Sequence, residues 1–383
     1  MTPLAEILRE TIRAGGPMPF PSYMGMALYH SEHGYYARGP QRIGRAGDFY
    51  TSASVGAVFG ELMGGQFCAV WEAMGKPASF SIVERGANDG AFARDALTWA
   101  ASARPDFFAA VTYLIDEPLA TVKAAQERTL ESFGDRVRWG LAGPARGVFF
   151  ANELLDAIPF RRVRFTSGGW KELSVAVEGD GFVWVETELL DGATKSRLEE
   201  IVKIHPDFPE GYETEIAPAV ASEVRLAASA ISEGVMFFVD YGHPASDYYH
   251  PARRTGTLRC YRGHTAHENP FEAPGETDIT AHVEFSLAAA AAISSGCELL
   301  GFCDQGHFLT GAAAETLRRM DGKPASLAKA KWLRQFQTLT HPAHMGRSFH
   351  VLAASKGNVG GAVLSGFHYA RAAPGGATEV LGL

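Results

Sequence analysis

Glu84, Gly86, Asp89 and Gly90 have the types and spacing to do chemistry. They lie in "FSIVERGANDGAFARDAL", residues 80–97, an apolar run that stops at an acid, turns through two glycines and resumes with a helical pattern. A pyrophosphate cradle needs G-x-G-x-x-G, because its second glycine lets backbone amides touch phosphate oxygens. Here the turn reads Gly86-Ala87-Asn88-Asp89-Gly90, the P-loop lysine is missing, and Asp89 and Glu84 repel a pyrophosphate. A cationic guest without phosphate fits these residues better. S-adenosylmethionine carries an ammonium and a sulfonium, so an acid at the strand end and glycines that let the backbone approach suit its amino-acid portion. A tight turn whose glycines serve only positive φ and close helix packing remains the plain alternative. A further acid at the next strand end can accept both ribose hydroxyls, and "LIDE" offers Asp116 and Glu117.

Such residues need a strand, turn and helix to hold them. "FSIVE", "AFARDALTWAASA" and "VTYLIDE" form a βαβ pattern, and "GVFFANE" and "VMFFVDYG" are further short apolar strands ending in polar groups. Between those two, "RRVRFTSGGWKELSVAVEGDGFVWVETE" alternates around Gly-Gly and Asp-Gly, which predicts inserted antiparallel hairpins. Residues 2–14 read as a helix with Thr2 as N-cap, and 57–74 as another through Val58, Leu62, Gln66 and Val70. A third precedes "VMFFVDYG", with Val220, Val224, Ala227 and Ile231 on one face and Gly234 as its stop. An alanine-rich helix (281–295), a strand "CELLGFC", polar helical material and a last strand "SFHVLAAS" complete the core, and the Gly/Ala-rich tail reads as peripheral.

The 383 residues, 46% hydrophobic, are enough for one large domain with insertions or for two domains. A net charge of −8 without long runs of either sign argues against a protein that holds nucleic acid by its phosphates. Cys68, Cys260, Cys297 and Cys303 form neither a zinc nor a disulfide pattern, which fits reduced thiols. No apolar run of about twenty residues predicts a membrane span, and the N-terminus reads as neither a signal nor a transit peptide. A cytoplasmic location is expected, or the mitochondrial matrix for a eukaryotic source.

The segments "GYYARG…IGRAGDFYTSASVGAVFGEL", "FFANELLDAIPFRRV", "VDYG", "GTLRCYRGHTAHENPFEAPGETDITAHVEF" and "MGRSFHVLAASK" resemble, in order, the MidA-like family of S-adenosylmethionine-dependent methyltransferases. Its mitochondrial members are protein-arginine methyltransferases acting in assembly of respiratory complex I. The resemblance implies an α/β class I methyltransferase fold: a Rossmann-like, mostly parallel seven-stranded sheet with an N-terminal helical arm and inserted hairpin and loop segments. The expected divisions are 1–75 (arm and cofactor-covering loop), 76–163 and 217–355 (core, with an insertion at about 243–276), 164–216 (hairpin region) and 356–383 (tail).

Carried over by position, Gly47, Asp48, Tyr50, Thr51 and Ser52 of "GDFYTS" are implied to close over the cofactor, with Asp48 either touching its ammonium or holding the arm. The family's turn usually reads E-L-G-P-G-x-G. This chain keeps Glu84, Gly86 and Gly90 but has Arg85, Ala87 and Asn88, which motivates a second reading: a non-catalytic scaffold or assembly factor on the same fold. Glu117 fits the family's ribose acid better than Asp116, and Trp139 matches a tryptophan beside adenine. Asn88 and Asn152 complete the expected cofactor set.

Methyl transfer from a sulfonium relies on positioning and exclusion of water, and needs no metal. An arginine acceptor presents a planar fork of donors to carboxylates. Glu153 and Asp156 of "ANELLDAIP" lie where open α/β sheets place their crevice, with Asp156 orienting the acceptor or capping a short helix. Glu215 of "YETEIAP" completes a guanidinium clamp or sits at a helix entrance. Tyr241 faces the acceptor or the core. His264, His267 and His282 lack metal-ligand spacing, and the Arg161-Arg162-Arg164 run is a partner surface or solvated edge charge. The expected partner is a protein substrate, a respiratory-complex subunit by family resemblance, with a homodimer left open.

Overall fold

The computed structural model describes residues 2–39, 51–189, 191–322, 324–359, 364–370 and 376–383. The chain divides into two compact units: Met1–Phe49 with Leu155–Ser222 and His243–Leu287, and Tyr50–Leu154 with Glu223–Gly242 and Ala288–Leu383.

In the second unit the apolar runs form a sheet. Its strands are β1 (Phe80–Arg85), β2 (Val111–Asp116), β3 (Val137–Trp139), β4 (Ala145–Asn152), β5 (Ile231–His243), β6 (Glu298–Asp304) and β7 (Phe349–Lys356), in the order β6-β7-β5-β4-β1-β2-β3. The run from β5 to β3 pairs in parallel, and β7 lies antiparallel between β5 and β6. Near-continuous apolar runs suit strands covered on both faces. One face is covered by α1 (Ala57–Ala73) and α2 (Ala91–Ala103), which bury Phe59, Phe67, Phe92 and Leu97 against Ile82, Val148 and Phe150. Phe92 stacks on Phe150 with ring centroids 4.2 Å apart. On the other face, Phe149 and Leu226, Ala227 and Ala230 of the helix Pro218–Ala230 line one groove. A third helix, α3 (Ala120–Leu130), links β2 to β3.

Gly234 is not the stop of the preceding helix. That helix ends at Ala230, and Gly234 lies inside β5 opposite Gly147 of β4, where a Cβ would stand 1.7 Å from the Gly147 carbonyl oxygen. The glycine permits close approach of strands and does not terminate a helix. The tail also differs from the peripheral expectation. Leu364, Phe367, Ala377 and Leu381 are buried, and Gln66 of α1 bonds the Ser365 hydroxyl and the Gly366 amide, each at 3.0 Å. Weak periodicity hid a segment that is anchored through single side chains.

The first unit holds the N-terminal helix Pro3–Gly15, capped by Thr2 as expected, together with both insertions. The predicted hairpins are there: Arg161–Thr166, Gly169–Glu178 and Gly181–Thr187 pair antiparallel, and Glu213–Ile216 adds to their edge. The N-terminal stretch folds with them, since Met18–Pro19 pairs with Gly169–Glu178. A helix at Gly192–Ile204, capped by Asp191, was not anticipated within the hairpin region. The Arg161-Arg162-Arg164 run is satisfied internally, by Glu172, Glu213 and Glu186. Residues 243–287 add a small sheet of Thr265–His267, Arg259–Arg262 and Asp278–Thr280.

Candidate functional site

The carboxyl edge of β1, β2, β3 and β4 gathers most of the predicted cofactor residues. The chain leaves β1 through Gly86 at φ +77° and Asn88 at φ +46°, and enters α2 from Gly90 at φ +81°. These positive φ values are the reason for glycine at two of the three positions. A Cβ on Gly86 would also come 3.3 Å from Leu154. The Asp89 carboxylate accepts from the Ala91 amide at 3.0 Å, so it secures the start of α2.

Glu84 is nearly fully buried, and accepts from the Tyr113 hydroxyl at 2.7 Å. Burial pushes its carboxyl up to about 8; Tyr113 works against that shift and the nearby Asp89 adds to it. Near neutral pH Glu84 is thus mostly protonated, and a cation above the turn favours its charged form. Arg85 does not intrude on the turn. Strand alternation turns it away from Glu84, and it pairs with Glu223 at 2.8 Å and Asp116 at 3.5 Å. Ala87 is buried in the core. The departures at 85 and 87 are therefore absorbed by packing and ion pairing away from the backbone that forms the cradle.

The two candidate ribose acids separate cleanly. Asp116 is spent on Arg85, whereas Glu117 accepts from the Leu119 amide at 2.8 Å and from Gln126 Nε2 at 3.2 Å. Those bonds use one lone pair on each carboxylate oxygen and leave one on each, a match for two vicinal hydroxyls. Burial also raises the Glu117 carboxyl above its ordinary value, though both bonds oppose the shift. Trp139, at the end of β3, donates its indole N–H to Gln126 Oε1 at 2.9 Å.

At the end of β4, Glu153 adopts φ +52°, uncommon for a residue with a side chain. Its amide donates to the Val239 carbonyl of β5 at 2.8 Å, while its Oε1 accepts from the Ser52 amide at 3.0 Å and Asn152 Nδ2 at 2.8 Å. Asn152 Oδ1 is a buried acceptor with no donor among the described residues. Thr51 and Ser52 act through structure: Thr51 caps the short helix Ser52–Val55, and the Ser52 hydroxyl donates to Gln305 Oε1 at 3.0 Å. Tyr241 packs its ring 3.8 Å from that of Phe349, as the core alternative expected. Gly47, Asp48 and Tyr50 lie outside the described residues.

Asp156 and Glu215 belong to the first unit. Both line a cavity there of about 10 Å³, with His282 and Glu284 nearby, which is room for one water and not for a guanidinium. Glu215 is fully engaged, accepting from the Thr257 amide at 2.8 Å, the Thr257 hydroxyl at 3.1 Å and the Leu258 amide at 3.3 Å. It anchors a loop, in place of the acceptor clamp expected from the sequence. Asp156 takes the Ala281 amide on its backbone carbonyl at 3.0 Å.

Sequence reasoning missed Gln126, which no solvent reaches, and Tyr113. A signal existed for Gln126: it shares the buried stripe of α3 with Val122, Ala125 and Leu130, and an amide inside an apolar stripe needs partners.

A mostly parallel sheet of this order, with glycines, buried acids and an open amide acceptor along its carboxyl edge, defines a class I methyltransferase with a site fit for S-adenosylmethionine. Residues 62–303 match the family described as "Putative S-adenosyl-L-methionine-dependent methyltransferase", and the chain belongs to it. A Burkholderia thailandensis protein solved with S-adenosyl-homocysteine superposes with TM-score 0.84 at 33% identity, covering 96% of this chain and 94% of that one. The protein arginine methyltransferase NDUFAF7 homolog, mitochondrial, of Drosophila melanogaster is 28% identical over 92% of this chain and 85% of its own length. The mouse protein arginine methyltransferase NDUFAF7, mitochondrial, is 28% identical over 92% and 84%.

Proposed function

We propose that this S-adenosylmethionine-dependent methyltransferase methylates an arginine side chain of a protein, with Glu153 facing the acceptor. The observation that carries this reading is the conformation of Glu153. A non-glycine residue held at φ +52° costs roughly 1–3 kcal/mol, and here the β5 carbonyl, the Ser52 amide and Asn152 all hold it in place. Strain secured from three sides at the carboxyl edge of an open α/β sheet marks a residue that has to be aimed. A carboxylate is the group that pairs with a guanidinium fork. The names of the fly and mouse relatives support the same acceptor.

S-adenosylmethionine supplies a sulfonium methyl whose sulfide is an excellent leaving group. Gly86, Asn88 and Gly90 bring the backbone to its amino-acid portion, Glu117 takes the ribose, Trp139 borders the adenine, and Asn152 Oδ1 offers the remaining acceptor. Gly47, Asp48 and Tyr50 stay proposed as cover on sequence resemblance alone. Glu153 orients the acceptor nitrogen and receives its proton, and Glu215 anchors the loop at Thr257. The four cysteines are free and buried, which suits a reducing compartment, bacterial cytoplasm or mitochondrial matrix. Among the described residues, no helix is long and apolar enough to cross a membrane.

The experiment is transfer of tritiated methyl from S-adenosylmethionine to cell-extract proteins, followed by acid hydrolysis. Label in methylarginine that falls about 100-fold or more with Glu153→Gln supports the reading. Label in lysine or in small molecules replaces the acceptor, and no transfer to any extract protein favours the scaffold.

A further inference from the structure

Gln126 is completely buried on α3, beneath the carboxyl ends of three neighbouring elements. Its Nε2 donates to the Asn88 carbonyl at 2.9 Å and to Glu117 Oε2 at 3.2 Å, while its Oε1 accepts from Trp139 Nε1 at 2.9 Å. The amide orientation is dictated by chemistry. A carbonyl and a carboxylate only accept, and an indole N–H only donates, so the flipped amide would lose all three bonds. One side chain thereby couples the glycine turn, the ribose acid and the indole.

We infer that Gln126 is a positioning residue for cofactor recognition, fixing the Glu117 carboxylate so that its remaining lone pairs meet the two ribose hydroxyls. This rests on the assignment of Glu117 to the ribose made above. The Leu119 amide holds one oxygen and Gln126 the other, so the plane of the carboxylate is set from two sides before any ligand arrives. Without Gln126 the second oxygen has no donor among these contacts, and a hydroxyl has to meet a carboxylate that is free to rotate. Trp139 loses its partner in the same event, so recognition of adenine and ribose is lost together.

The test is a titration of the full protein with S-adenosylhomocysteine and with its 2′-deoxy analogue, using wild type, Glu117→Ala, Gln126→Met and Gln126→Glu. Methionine keeps the volume and removes every polar bond. Glutamate keeps an acceptor for Trp139 but faces Glu117 and the Asn88 carbonyl with charge. In wild type, loss of the 2′-hydroxyl should weaken binding about tenfold. Both Gln126 variants should bind S-adenosylhomocysteine about tenfold or more weakly, and the penalty for the missing hydroxyl should shrink to about threefold or less. A lowered melting temperature alone would leave that ratio unchanged, so the ratio separates positioning from general stability. If Glu117→Ala leaves affinity and ratio intact, the ribose assignment falls and this inference with it. If Glu117→Ala loses both while Gln126→Met keeps the wild-type ratio, the inference alone is overturned.

Discussion

Glu117 and Glu215 look interchangeable in the sequence, each an acid at the end of a short β-rich segment, yet the two units use them in opposite ways. In the unit with the parallel sheet Glu117 has one donor per oxygen and keeps a lone pair on each. In the other unit Glu215 takes three donors from two adjacent residues and is shut away from solvent. On the proposed reading, a half-satisfied carboxylate at a strand end is a binding group, whereas a saturated one is a fastener. Partners decide the role, and residue type does not.

The contrast can be broken or sharpened by substitution. The largest effect is expected from Gly86→Val, because a β-branched residue at φ +77° is strained and its Cβ meets Leu154 at 3.3 Å. Calorimetry should show S-adenosylmethionine affinity reduced by about 100-fold or more. Next comes Glu215→Ala, which strands two amides and a hydroxyl. Denaturant unfolding should show about 2–4 kcal/mol lost, while affinity for the cofactor stays within about threefold. Glu117→Ala should show the converse, an affinity loss of about tenfold or more with a smaller change in stability. If both variants behave alike in both assays, the distinction between the two acids is wrong.

A smaller effect should come from pH. With its folded-state value raised to about 8, Glu84 contributes stability that is fully present below its ordinary 4.5 and is lost as pH rises to about 8. Glu84→Gln should flatten this part of the stability profile, by no more than a few kcal/mol across the window. Because a cation favours the ionised carboxylate, S-adenosylmethionine affinity in wild type should rise with pH through the same window and that of Glu84→Gln should not. The smallest effect is expected from Arg85→Ala. It removes partly exposed ion pairs to Glu223 and Asp116, and stability should shift by no more than about 1 kcal/mol.

Much of this was legible in the sequence wherever short-range chemistry decides. Gly86 and Gly90 announced the turn, the alternation from 161 to 187 announced the hairpins, and Asp89 with Glu84 argued against a phosphate ligand before any fold was known. What escaped depends on contacts distant in the chain. The three bonds of Gln126 reach residues 88, 117 and 139, and only its place on an apolar stripe hinted at them. The donors to Glu215 lie about forty residues further on, at Thr257 and Leu258, so nothing near "YETEIAP" could reveal that the acid was already used. Gly234 was misread for the same reason, since the atom that forbids a Cβ there belongs to Gly147.

The most direct measurement is a crystal structure of the protein with S-adenosylhomocysteine bound. The account predicts the amino-acid portion along Gly86–Gly90 and both ribose hydroxyls within hydrogen-bond distance of the Glu117 carboxylate, whose bond to Gln126 persists. A ligand whose ribose meets Asp116 instead, or one bound with Glu117 turned away from it, would contradict the account.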